Sequence, residues 1–130
     1  MGLDNGLCVK RNEKSMSVYD KLKRFEDEWD KKCKYDFEVA YWRKCWNVRG
    51  IIADNIGGIM DNGRTSIARD DLFSIIVALK SINAENWDED YSIWTWEEQE
   101  PHIKQYIENL EYLYELMGEH DLDVYFYDSY

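Results

Sequence analysis

The densest chemical cluster in this 130-residue sequence is Tyr41-Trp42-Arg43-Lys44-Cys45-Trp46-Asn47-Val48-Arg49. Phe37, Ala40, Tyr41, Lys44, Cys45, Val48, Ile51 and Ile52 keep a helical period around it, so the sequence predicts a helix from a cap at Asp36 to about Asn55. On such a helix Trp42 and Trp46 are i,i+4 neighbours, Arg49 follows Trp46 at i+3, Arg43 meets Asn47, and Tyr41 sits above Lys44. Planar rings and guanidinium groups can sandwich a base, and Arg can hold a phosphate through two parallel hydrogen bonds. Tyr41, Trp42, Arg43, Lys44, Trp46, Asn47 and Arg49 are therefore the expected ligand-binding set, and a small anionic, nucleotide-like molecule is the expected ligand. The competing use of the same residues is structural, since Trp at this spacing also builds cores and Arg also neutralises carboxylates. Trp94-Thr95-Trp96 and Tyr125-Phe126-Tyr127 face the same choice between lining a cavity and closing the core.

Other chemistry is poorly represented. The chain has no GxSxG, HExxH or Walker A sequence. Asp4, Asp54, Asp61, Asp121 and Asp123 are candidate acids, but their spacing gives no reason for two of them to meet. No catalytic residue, cofactor or metal is expected. His102 and His120 are the only histidines, and His120-Asp121 with Asp123 reads as a polar corner after a helix. Cys8, Cys33 and Cys45 are odd in number and lack CxxC spacing, as suits reduced thiols in a cytosol. Gly57-Gly58 and Gly63-Arg64-Thr65-Ser66 lack the lysine of a phosphate loop and read as a flexible connection.

The net charge is -11, which repels phosphates and opposes direct binding to nucleic acid or an anionic membrane. Residues 1–50 carry a net +3 and residues 51–130 a net -14. The carboxylates of residues 85–100 and 108–123, Asp88-Glu89-Asp90 and Glu97-Glu98 among them, could imitate nucleic-acid phosphates toward a basic host protein. No apolar run approaches the roughly 18 residues of a spanning helix, and the start of the chain is too polar for a signal peptide. Exposed tryptophans would also fit a homo-oligomer.

The elements that must hold these residues follow from periodicity. Leu7-Cys8-Val9 reads as a strand. Ser17 is the expected cap of a helix whose face is Val18, Leu22, Phe25 and Trp29, ending near Lys32. Gly50 inside the second helix suggests a close packing contact. Residues 56–65 read as a loop, followed by a helix with the stripe Leu72, Ile75, Ile76, Leu79 and Ile82. Thr95 and Glu98 fit a capping box before the clearest stripe, Ile103, Tyr106, Ile107, Leu110, Leu113, Tyr114 and Met117, which Gly118 would end. Leu122, Val124 and Phe126 alternate with polar neighbours as a strand does. The expectation is a small α+β domain, three to four helices packed on a short antiparallel sheet formed by the terminal strands.

Met1-Gly2-Leu3-Asp4, Tyr41-Trp42-Arg43-Lys44 with Asn47, and Val124-Tyr125-Phe126-Tyr127-Asp128-Ser129-Tyr130 together resemble a group of small phage-encoded proteins of unassigned function. Members of that group share the Met-Gly-Leu-Asp start, a Tyr-Trp-Arg-Lys-x-x-Asn helix and a closing aromatic strand. The resemblance implies a phage or prophage origin and action in the host cytoplasm. Two functions then compete. One is an anti-defence protein that sequesters a nucleotide-like signal, and the other is an acidic inhibitor of a host nuclease or CRISPR effector.

Overall fold

The computed structural model describes residues 4–25, 36–43, 45–57, 63–88 and 94–129. Trp29, Lys31, Lys32, Cys33, Lys44, Gly58, Asp61, Glu89 and Asp90, and the alternating residues 91–93, lie outside them. The order is β1 (Asp4–Val9), α1 (Glu13–Met16), α2 (Tyr19–Leu22) with a 3-10 turn (Lys23–Phe25), β2 (Phe37–Arg43), α3 (Trp46–Asn55), β3 (Arg64–Ser66), α4 (Arg69–Lys80), α5 (Trp96–Glu119) and β4 (Val124–Ser129). The α+β expectation holds. The strands form one antiparallel sheet in the order β2-β1-β4-β3, with β1 and β4 at its centre.

The two faces of the sheet are built differently. Leu7 and Val9 of β1, with Val124 and Phe126 of β4, face the helices and join Leu72, Ile75, Leu79, Ile103, Leu110 and Leu113 in the main core. Their alternates Cys8, Tyr125 and Tyr127, with Tyr41 against them, form a smaller cluster on the other face. There Tyr125 donates its hydroxyl hydrogen bond to Asp36, Tyr127 to Glu38 at 3.3 Å, and Tyr41 to Asp4. Gly6 sits in β1 between Tyr41 and Tyr127. A Cβ there would stand 2.6 Å from the Ala40 carbonyl oxygen and 2.8 Å from the Tyr127 ring. With hydrogen in that place, the Tyr127 ring crosses β1 and its hydroxyl reaches β2.

Four local readings are corrected. Residues 37–43 are a strand, not the first turns of a helix. The register explains why: Leu7 pairs with Ala40 and Cys8 with Glu38, so Val39 is an extra residue in β2. That bulge turns Phe37, Val39, Ala40 and Trp42 all inward, breaking the alternation by which a strand is recognised. The helix expected from Ser17 is also divided. Asn12 caps α1 in a reciprocal arrangement with Ser15, and Ser17 closes that helix instead of opening the next. A Cβ at Gly50 would meet nothing within 4 Å among the described residues, so no close contact with them accounts for it. Gly118 lies inside α5, which runs on to Glu119, and a Cβ there would stand 2.8 Å from the Arg69 guanidinium. The stripes of α4 and α5 and the Thr95–Glu98 capping box appear where the sequence puts them.

Asn12 also ties the two ends of the fold together. Its amide donates to Asp123 at 2.7 Å, just before β4. That hydrogen bond, helped by Lys14, holds the Asp123 carboxyl below its ordinary pKa, while Asp121 and Asp123 raise that of Lys14. Both side chains are about half exposed, so water screens the gain.

Candidate functional site

The expected ligand set does not lie on one stripe. Because 41–43 are a strand, Trp42 points into the core while Tyr41 and Arg43 point to the other face. Trp42 is only 2% exposed and meets the Tyr106 ring edge-on at 5.3 Å. Its indole Nε1 is buried without a hydrogen-bond partner among the described residues. The Tyr41 hydroxyl is engaged with Asp4; burial first, and then that carboxylate, push its pKa well above the ordinary tyrosine value. Arg43 is exposed, and its carbonyl accepts from the Trp94 indole at 2.9 Å.

The second half of the set is carried by α3. Trp46 is 40% exposed and lies under the Arg49 guanidinium, 5.2 Å from its centroid. The same guanidinium donates to Asp128 from Nε at 3.0 Å and from Nη2 at 2.9 Å. The Asp128 side chain is fully buried, so Arg49 is the cation that answers a buried charge and is committed to the fold. Asn47 donates to the Asp88 carbonyl at 2.7 Å and borders an apolar cleft of about 400 Å³ between α3, α4 and Trp87.

A groove of about 480 Å³ does gather three of the expected residues. Tyr41, Trp42 and Arg43 border it together with Trp94, Glu98, Gln99, His102 and Tyr106, because β2 packs along the first half of α5. The last five were not in the expected set. One signal for them was present in the sequence: Gln99 stands one turn before Ile103 on the apolar stripe of α5, where a polar residue is out of place.

Acidic side chains are arranged with more regularity. Glu97, Glu100, Glu108, Glu111, Glu115 and Glu119 recur at helical spacing along one side of α5, opposite its buried stripe. Lys104 pairs with Glu100 at 3.4 Å, Lys80 with Glu111 at 3.2 Å and Lys21 with Glu119 at 4.0 Å. Glu97, Glu108 and Glu115 are exposed and make no ion pair among the described residues. No group of three or more His, Cys, Asp or Glu there is arranged to hold a metal, and no helix there is long and apolar enough to cross a membrane.

What fold and surface define is a small α+β protein with an acidic helix along one side. No protein-family model and no curated protein matches the chain. Among solved structures it is similar to "Neisseria DNA mimic protein DMP12", at 13% identity over 96% of this chain and 98% of that one, with a TM-score of 0.42.

Proposed function

We propose that this is a non-enzymatic, acidic binding protein whose α5 occupies a basic groove on a host protein, as nucleic acid would. The observation that carries the reading is the row of glutamates on the outer side of α5, three of them unpaired among the described residues. At 1.5 Å per residue this 24-residue helix is about 36 Å long, and its carboxylates fall about 4.5 to 6 Å apart except for a gap of about 12 Å between Glu100 and Glu108, where Lys104 stands. Duplex DNA carries a phosphate about every 3.4 Å per strand, so the helix is a sparser line of the same sign. Such a line steers association with a cationic partner and discriminates against anionic ones. The resemblance to phage proteins supplies the setting: an anti-defence role in the host cytoplasm, with a nuclease or CRISPR effector as target.

The test is the triple substitution Glu97→Gln, Glu108→Gln and Glu115→Gln. Exposed and isosteric, these changes should each move stability by no more than about 0.5 kcal/mol. Host proteins captured at low salt are re-assayed singly for displacement of labelled DNA. The expected result is a partner from which the wild-type chain displaces DNA, which releases at high salt, and whose affinity falls at least about tenfold in the triple variant. A lysate that yields no salt-sensitive, DNA-competing partner sinks the reading.

A further inference from the structure

The groove between β2 and the first half of α5 has no part in that reading. Its volume of about 480 Å³ falls inside the range of small-molecule sites, roughly 300–1,000 Å³. Two polar groups in its wall are left over by the fold. Gln99 is 8% exposed, and its amide makes no hydrogen bond among the described residues. Trp42 is more deeply buried still, and its indole N–H, closed off from solvent, has no acceptor among the described residues. Native proteins keep few buried polar groups unpaired, and a ligand in the groove is one of the things that pairs with a group such as the Gln99 amide.

The electrostatics differ from the cationic stripe read in the sequence. Arg43 brings one positive charge to the groove, and Glu98, held to the Thr95 backbone N–H at 3.2 Å, brings one negative charge. Recognition then falls to rings and hydrogen bonds. Trp94 is fixed by its bond to the Arg43 carbonyl, and Tyr106 is held against Trp42. A primary amide offers a donor and an acceptor side by side, which matches the edge of a heterocyclic base.

We infer that this groove binds a planar, hydrogen-bonding heterocycle of the nucleobase class, with Gln99 reading its edge, Trp94 packing on it, and Arg43 at the rim beside any attached phosphate. The experiment titrates the full-length, 15N-labelled chain with AMP, CMP, GMP, UMP and, separately, inorganic phosphate, following the Trp42 and Trp94 indole resonances. At least one nucleotide should shift both saturably, and phosphate should shift neither. Gln99→Leu, checked for folding in the same spectra, should weaken that binding at least about tenfold. Silence from all four nucleotides up to about 1 mM overturns the inference, as does a response to phosphate alone or wild-type affinity in Gln99→Leu. Should Gln99→Leu fail to fold, Arg43→Ala decides: it should weaken the nucleotide more than its nucleoside, and an equal effect on both overturns the inference. Glu97, Glu108 and Glu115 do not border the groove, so this result and that of the glutamate substitutions are read independently.

Discussion

The helix-covered face of the sheet and its opposite face both exclude water, by different means. Under the helices, Leu7, Val9, Val124 and Phe126 are closed off by apolar volume. On the other face no comparable apolar layer exists among the described residues. Burial of Cys8, Tyr125 and Tyr127 there depends on rings lying flat across β1 and on hydroxyls tied to Asp36 and Glu38. One face is held mainly by the hydrophobic effect, and the other by rings plus charge-assisted hydrogen bonds. The first should answer to changes in volume, and the second also to the loss of a single oxygen or the gain of a single methyl.

The largest effect should come from Leu7→Ala, which leaves a cavity under the helices and should cost about 3 kcal/mol in urea unfolding. Gly6→Ala adds one carbon to the same strand on the opposite face and should cost about 2 kcal/mol, because the Ala40 carbonyl is backbone and cannot swing aside. If that change is neutral, the Tyr127 ring does not depend on the absence of a Cβ. Tyr125→Phe removes only an oxygen and should cost about 1.5 kcal/mol, since Asp36 loses a donor in a part-buried place. A loss as large as that of Leu7→Ala would mean that hydrogen bonding dominates the outer face. No loss would mean that ring packing suffices.

The contrast also explains what could be read in advance. The stripes of α4 and α5 were legible because each helix buries one side and wets the other, so Leu72, Ile75 and Leu79, or Ile103, Leu110 and Leu113, show the helical period directly. The terminal strands were legible from Leu7-Cys8-Val9 and from the alternation of Val124 and Phe126. In β2 the bulge at Val39 spaces the inward residues Phe37 and Ala40 as one turn of helix would, and Trp42 was read from the wrong period. β3 carries no apolar alternation in the sequence, because its three residues Arg64–Ser66 are polar and join the sheet through backbone pairing with β4 and through the Arg64 guanidinium over the Tyr125 ring. The Trp/Arg cluster was visible as composition but not as geometry. The partner that commits Arg49 is Asp128, in the last strand, and the neighbours that give Tyr41–Arg43 a groove are on α5. Sequence spacing within the cluster carries no information about either.

The central place of β1 and β4 has a kinetic meaning. β1 has β2 on one edge and β4 on the other, and β1 and β4 are far apart in sequence, Val9 pairing with Val124. Closing that pair means bringing together segments separated by almost the whole chain, the kind of long loop that slows folding. Until β4 docks, β1 presents an open hydrogen-bonding edge, and Arg49 has no Asp128 to receive it. A chain in which β4 has not yet paired therefore carries an unfinished, aggregation-prone sheet, which makes the docking of that strand a determinant of yield.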